Sequence, residues 1–352
     1  MPKVYFRSFR REFSSDQKPL HIVSPLLKST SMTKILSTPS IHRNVYLKLE
    51  NVQPAGSFKI RGIGLTMQNA ARNGCSKFIG SSGGNAGMAM AYAASKIGKK
   101  LLLYVPRNTP DFMEQKLIDE GAEVLLVGEN WDEANAAALK NVAEDVSGST
   151  FLVHPHNQPT TWKGHSTLVD ELVWQLKEMG EEQMPSSIVT AVGGGGLALG
   201  ILQGMEKHGW SETVLLAMQT KGAASLCKSL EEGKLVTLDT VNTKATSLAM
   251  KTVMEELFTY AMQNSDRLKC KAVSDIEALD ACLQIADDER ILVEPACGTA
   301  LAGVQRGLGL VKNSVGQGPV VVVVCGGNIV SLNTINQWKQ EIRDYHIVGG
   351  EW

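Results

Sequence analysis

The chain has 352 residues, 43% of them hydrophobic and 20% charged, and its 35 Lys and Arg against 36 Asp and Glu leave a net charge of −1. The composition is that of a globular protein, and so even a balance of charge gives no pull toward nucleic acid or an anionic membrane. The length exceeds one small core, so two domains, or one large domain with an insertion, are expected.

Residues 1–18, MPKVYFRSFRREFSSDQK, carry five basic residues against two acidic ones and lack the apolar core of a secretory signal. They read as a disordered basic extension or as a mitochondrial transit peptide, with Val4, Tyr5, Phe9 and Phe13 able to share a helical face. A strand is expected over 44–50 (NVYLKLE). After it comes NVQPAGSFKIRGIG, 51–64, in which Pro54, Gly56, Gly62 and Gly64 surround Lys59 and Phe58. The first half reads as a tight loop and the second as the opening of a helix. A lysine at that junction is either a solvated charge or a nucleophile in a pocket.

KFIGSS, 77–82, reads as the next strand, and SSGGNAGMAMAYAA, 81–94, as a small-residue loop entering a helix over 86–98. That loop offers backbone N–H groups, the Ser82 hydroxyl and the Asn85 amide, which suit a carboxylate; an ordinary helix cap accounts for the same residues. Strands at 100–106, 123–128 and 150–155 alternate with helices at 110–121 and 131–146. HPHNQPTT, 154–161, reads as a return crossing into a helix over 160–180. His154, His156 and His165 lack a metal spacing and read as polar loop and helix-surface residues.

A strand over 186–192 leads into VGGGGLALG, 192–200, four consecutive glycines before a helix over 197–209. Glycines there let several N–H groups converge at a helix N-terminus, the arrangement that binds phosphate; the alternative is a tight turn. No Gly-Lys-Ser/Thr follows, and the next strand, 213–218, does not end in an acidic residue, so neither a P-loop nor a dinucleotide fingerprint is present. DDERILVEP, 287–295, reads as a solvated helix end with a turn at Pro295, and a helix is expected over 296–311. PVVVVVC, 319–325, has the length of a buried strand, not of a membrane span, and ends in Cys325-Gly326-Gly327-Asn328. A thiol at the carboxyl end of a central strand sits where open α/β sheets bind ligands.

Strands apolar on both faces alternating with helices make this an α/β protein with parallel sheets. The six cysteines, 75, 227, 270, 282, 297 and 325, form no CxxC, so neither a zinc site nor a disulfide framework is signalled. All but Cys325 read as packing residues, and a reducing compartment is expected.

A lysine, a phosphate loop, a carboxylate loop and a strand-end thiol together suit pyridoxal phosphate, whose aldehyde condenses with lysine. PAGSFKIRGIG, SSGGNAGMAMAYAA, VGGGGL, ILVEPACGTALA and VVVVCGGN resemble, in order, the motifs of the L-serine/L-threonine dehydratases. These are tryptophan-synthase-β-like (fold type II) pyridoxal phosphate enzymes, and the resemblance runs from about residue 19 to about 342.

The resemblance implies an α/β, two-domain fold with open, twisted, mostly parallel sheets flanked by helices. It implies a large cofactor-binding domain over 19–50 and 155–352 and a small one over 51–154, behind the extension 1–18. Lys59 matches the Schiff-base lysine and Phe58 the residue packed against the cofactor ring. Asn85 matches the asparagine bonded to the cofactor's 3′-oxygen, Gly193, Gly194, Gly195 and Gly196 the phosphate loop, and Cys325 the residue facing the pyridine nitrogen. Ser82, Gly83, Asn85 and Ala86 match the substrate carboxylate loop.

The implied reaction is deamination of L-serine to pyruvate, and of L-threonine to 2-oxobutyrate, with release of ammonia. Serine racemase and a β-replacement synthase of the same fold are the alternatives, and a non-catalytic module is the bland one. Gly83 opposes racemisation, because related racemases carry there the serine that reprotonates the α-carbon. Where some dehydratases carry alanine, Gly83 is expected to loosen substrate contact. The family often holds a monovalent cation, potassium, in a site matching Gln219, Ala223, Leu248 and Met250, with Glu294 able to line that region as the alternative to a solvated helix end; Gln219 replaces the acidic ligand, which weakens that expectation. A cytoplasmic homodimer without nucleic-acid or membrane partners completes it, with a mitochondrial location as the alternative.

Overall fold

The computed structural model describes residues 18–37, 43–306 and 318–347. The expectations for the extension over 1–17 and for the end of the helix over 296–311 fall outside these residues. No helix among the described residues is long and apolar enough to cross a membrane.

Among the described residues, ten strands form two sheets. The larger has the order β1-β2-β10-β7-β8-β9, from Leu26–Ser29, Val45–Leu49, Val320–Val324, Ser187–Ala191, Val214–Thr220 and Leu268–Val273. All its pairings are parallel except β1 with β2. The smaller sheet, wholly parallel, has the order β5-β4-β3-β6, from Glu123–Leu126, Lys100–Val105, Lys77–Ser81 and Thr150–Val153.

The central strands β2, β7, β8 and β10 are buried along their whole length, as both-face apolar runs require when helices cover two sides. One apolar core surrounds the large sheet, and a second joins β3 and β4 to the helices Lys59–Arg72 and Asn85–Ile97.

The strands expected from the sequence are all present, each end within two residues of its expected place. Two more strands, β1 and β9, lie at the edges of the large sheet. Their faces mix buried and exposed residues, LLKS and LKCKAV, so neither shows the apolar run of a central strand. The disulfide Cys227–Cys270 corrects the reading of both cysteines as packing residues. It ties the helix Ser225–Glu232 to β9 across 43 residues of sequence, a separation at which no spacing motif signals a pair.

A fully buried ionic cluster lies behind the helix that Lys59 opens. Arg61 donates to Glu50 through Nε (2.6 Å) and Nη2 (2.7 Å) and to Glu171 through Nη1 (2.7 Å) and Nη2 (2.8 Å). Lys48 donates to Glu171, Gln175 and the Ser24 carbonyl. Two cations thus face two carboxylates, a balance that buried charges need.

Candidate active site

Three strand ends build the site. β10 lies beside β7, so Cys325, just past β10, and the glycine loop, just past β7, leave the sheet on the same side. β3 of the small sheet delivers the loop 82–84 and the helix Asn85–Ile97. The lysine loop is pinned to the segment after β10. Phe58 N donates to the Cys325 carbonyl (3.0 Å), Gly327 N donates to the Gly56 carbonyl (3.1 Å), and Ser57 bridges Gly326.

The four segments enclose one cavity of about 760 Å³, lined by Phe58, Lys59, Ser82–Ala86, Gly193–Gly196 and Cys325 among others. It therefore gathers every residue the sequence singled out for the lysine, the phosphate loop, the carboxylate loop and the thiol. Leu248 and Met250 also line it, whereas Gln219 and Ala223 are buried outside the lining.

Lys59 begins its helix, and its Nζ donates to the Pro155 carbonyl at 2.7 Å. The exposed part of its side chain opens into the cavity. Burial lowers its pKa to about 8, against smaller upward pulls from Cys325 and Glu294. The Phe58 ring lies beside it, with Nζ 5.3 Å from the centroid, and turns toward His165 in a T-shaped contact at 4.9 Å.

The glycine loop is a cradle that side chains would fill. Gly195 has φ +102°, a left-handed conformation that favours glycine. A β-carbon on Gly194 would lie 2.6 Å from His156 Nε2. The helix Gly196–Lys207 starts at once after it, adding its N-terminal partial charge.

Asn85 Nδ2 donates to both Glu294 oxygens (2.7 and 2.9 Å), and its Oδ1 accepts from Asn328 Nδ2 (2.9 Å). The sequence reading placed Glu294 by the cation region or at a solvated helix end. It is instead buried in the cavity wall, at the N-cap of the helix Pro295–Gln305. Burial raises its pKa, against the hydrogen bonds from Asn85 and Ser247 and the charge of Lys59. Asp287 and Asp288 do lie on an exposed helix end.

Cys325 Sγ lies 3.2 Å from Cys297 Sγ, which also accepts from Gly326 N (3.1 Å). The contact with Cys297, followed by burial, pushes the Cys325 thiol well above its ordinary pKa, so it stays neutral. Cys297, read from the sequence as a packing residue, thus partners the thiol of the site.

The histidines also need correction. His165 is buried, and His154 and His156 are only partly exposed, with His156 in the cavity wall. The crossing at 154–161 meets Lys59 through the Pro155 carbonyl and brings His156 into the cavity wall. Burial lowers all three pKa values, His154 to about 4, and Lys59 lowers each further.

At the expected cation position, Gln219 Nε2 donates to the Val192 carbonyl (3.1 Å), and its Oε1 accepts from Leu226 N (2.9 Å) and Cys227 N (3.0 Å). Both ends of the amide are thus engaged by the backbone. No cluster of three or more His, Cys, Asp or Glu suited to a metal occurs among the described residues.

The residues present fit pyridoxal phosphate. A glycine cradle at a helix N-terminus suits a phosphate, an amine of lowered pKa suits an aldehyde, and a neutral thiol lines the same cavity.

Known proteins resemble the chain over nearly its whole length. The family described as pyridoxal-phosphate dependent enzyme matches residues 18–326. A human serine dehydratase-like protein is 42% identical over 331 residues, 93% of this chain and 96% of that protein. A Bos taurus L-serine dehydratase/L-threonine deaminase is 41% identical over 332 residues, 92% of this chain and 97% of that protein. The crystal structure of a fungal L-serine ammonia-lyase from Rhizomucor miehei superposes with a TM-score of 0.83 at 33% identity, covering 92% of this chain and 100% of that one.

Proposed function

The chain belongs to the pyridoxal-phosphate dependent enzymes, and we propose that it is an L-serine/L-threonine ammonia-lyase of fold type II, converting serine to pyruvate and threonine to 2-oxobutyrate with release of ammonia. The observation that carries this reading is the amine of Lys59, held near pKa 8 in one cavity with the glycine loop and the neutral Cys325 thiol.

Pyridoxal phosphate, when bound, supplies an aldehyde for amines and an electron sink for the α-carbon. The protein does the rest. Gly193, Gly194, Gly195 and Gly196 hold the phosphate on backbone N–H groups. Ser82, Gly83, Asn85 and Ala86 hold the substrate carboxylate at a second helix N-terminus. Lys59 would anchor the cofactor and, with its amine free, would accept the substrate's α-proton at Nζ; its lowered pKa keeps it unprotonated in a useful fraction at neutral pH. The substrate's β-hydroxyl would take up one proton and leave as water, and hydrolysis of the resulting enamine would consume one water and release ammonia. Cys325, a neutral thiol, would offer a bound cofactor no carboxylate charge to stabilise a protonated ring, which favours elimination over transamination.

Gly83 has no hydroxyl with which to reprotonate the opposite face of the α-carbon, so lyase chemistry is favoured over racemisation. A β-replacement synthase would be expected to carry serine in place of Cys325. A potassium ion beside Gln219, Ala223, Leu248 and Met250 and a homodimeric assembly complete the reading. Activity compared in potassium and choline salts tests the first, and light scattering the second.

The deciding experiment is to purify the protein with pyridoxal phosphate, record its visible absorbance and assay 2-oxo acid from each L-amino acid. A colourless protein that gains no absorbance with added cofactor would refute the reading.

A further inference from the structure

We propose, resting on the function given above, that Trp131 and Asn135 are positioning residues for the substrate's carboxylate, both acting through Ser81.

Ser81 ends β3 and leads directly into the carboxylate loop. Two side chains one turn apart on the helix Trp131–Ala143 hold it. Trp131 Nε1 donates to the Ser81 carbonyl (2.8 Å), and the Ser81 hydroxyl donates to Asn135 Oδ1 (2.8 Å). The holding turn is itself fixed. Asn130 caps the helix, its Oδ1 accepting from Glu133 N (3.1 Å) and its Nδ2 donating to Glu133 Oε1 (2.8 Å). The indole of Trp131 also meets the ring of His154 in a T-shaped contact at 6.1 Å and lies 6.5 Å from that of His156. Its N–H is therefore aimed by packing as well as by the helix.

Peptide geometry carries this hold into the loop. A peptide unit is planar, and the one joining Ser81 to Ser82 is trans, so its carbonyl and its N–H point in opposite directions. The Trp131 bond to the carbonyl thus sets the direction of the Ser82 N–H, the first of the loop's donors. The second peptide is set differently. A β-carbon on Gly87 would run into the Ser82 carbonyl, so that peptide lies against the loop's own helix, Asn85–Ile97, and Gly84 N donates to the Ser82 hydroxyl (3.3 Å). Ser82 and Trp131 both line the cavity.

A carboxylate is held well only when N–H groups converge on its oxygens, and such bonds weaken steeply once the donors are misaimed. Releasing Ser81 should therefore loosen the grip on the substrate's carboxylate. The cofactor's phosphate belongs to the glycine loop after β7, on the other sheet, and should be held as before.

The test uses the full-length holoenzyme and its W131F and N135A variants. W131F keeps an aromatic ring against the two imidazoles and lacks the N–H, whereas N135A removes the acceptor of the Ser81 hydroxyl. Three quantities are measured: KM and kcat for L-serine from 2-oxo acid formation, affinity for pyridoxal phosphate, and the binding of L-serinamide followed through the visible absorbance of the bound cofactor. W131F should raise KM for L-serine about fivefold and N135A about threefold, the effect of one lost hydrogen bond each. In both variants kcat, cofactor affinity and the affinity for serinamide, which has no carboxylate, should stay within about twofold of the wild type. An unchanged KM for L-serine in either variant would overturn the proposal. Equal weakening of serine and serinamide would overturn it too, by pointing to a general loosening of the small sheet. N135A decides the matter by the same measurements should W131F fail to fold. A wild type that forms no 2-oxo acid from serine would instead refute the function itself.

Discussion

Lys59 and Pro155 meet across 96 residues of sequence, the lysine Nζ donating to the proline carbonyl at 2.7 Å. The bond fixes the amine in the cavity without giving it an acidic partner, so burial is free to lower its pKa to about 8. Replacing Lys59 with Ala removes both the anchor for the cofactor and the base. The variant should lose 2-oxo acid formation by at least about 10³-fold and should lack the visible absorbance of the lysine-linked cofactor. Retained turnover in a coupled pyruvate assay would assign the base elsewhere.

The same lysine makes stability depend on pH in the cofactor-free protein. Its pKa is about 8 folded against 10.5 for the ordinary side chain, so between these values the unfolded chain binds the extra proton. Stability contributed by this site therefore rises with pH across that window and is lowest, at a constant level, below it. Lys59→Met removes the cost of burying the amine, which is on the order of 3 kcal/mol at pH 7. The variant should be the more stable protein at pH 7, and its lead over the wild type should shrink toward pH 10.5. Urea midpoints measured at several pH values check this, and a lead that widens with pH would contradict it.

Arg61 stands two residues beyond Lys59 and joins Glu50 to Glu171 in a site closed to water. Arg61→Met leaves two buried carboxylates to share the single cation of Lys48. The expected loss of stability is about 3–5 kcal/mol, because an unmatched buried charge costs more than the intact pair contributes. Since Arg61 lies in the first turn of the Lys59 helix, cofactor affinity should fall as well. Chemical unfolding and cofactor titration of the variant read the two effects separately.

The parts legible in the sequence were those written locally. Each of 82–86, 193–196 and Cys325 follows a strand and stands in a run of small residues, which singled them out in the sequence, and all line one cavity. The central strands were equally plain, because burial on both faces demands an unbroken apolar run. What escaped depends on partners far away in the chain. Glu294 looked like part of an acidic helix end until Asn85, 209 residues distant, donated to both its oxygens. His156 and Cys297 acquire meaning only from Gly194 and Cys325, which the sheet order brings beside them. The edge strands β1 and β9 hide for another reason: each pairs on one side only, and their polar residues break the apolar pattern.

The disulfide Cys227–Cys270 closes a loop of 43 residues and so restricts the unfolded chain. Replacing both cysteines with serine should lower stability by about 2–4 kcal/mol, and dithiothreitol should have a similar effect on the wild type, since both residues are partly exposed. The bond also sits beside Gln219, whose amide accepts from Cys227 N and donates to the carbonyl of Val192 at the root of the glycine loop. Loss of the bond should therefore weaken cofactor binding modestly as well as lower the melting temperature. A double serine variant with the wild-type melting temperature, checked against free-thiol counts, would argue against a stabilising role.

Gly83 and Thr109 compete for one place at the carboxylate loop. A β-carbon on Gly83 would lie 2.5 Å from Thr109 Oγ1 and 2.7 Å from its Cγ2, so alanine there requires the threonine side chain to move. Two effects then oppose each other. The added methyl group narrows the loop around the substrate and should raise kcat/KM for L-serine, while the clash should cost about 1–3 kcal/mol of stability. Thr109→Ser removes Cγ2, and Thr109→Ala also removes Oγ1, so the second substitution should recover most of that stability without reversing the kinetic gain. The G83A/T109A pair should thus show a favourable coupling in unfolding free energy, as contacting residues do. Should G83A leave kcat/KM for serine unchanged in a protein that still binds its cofactor, Gly83 would have no part in setting the rate, and its presence would reflect only the space taken by Thr109.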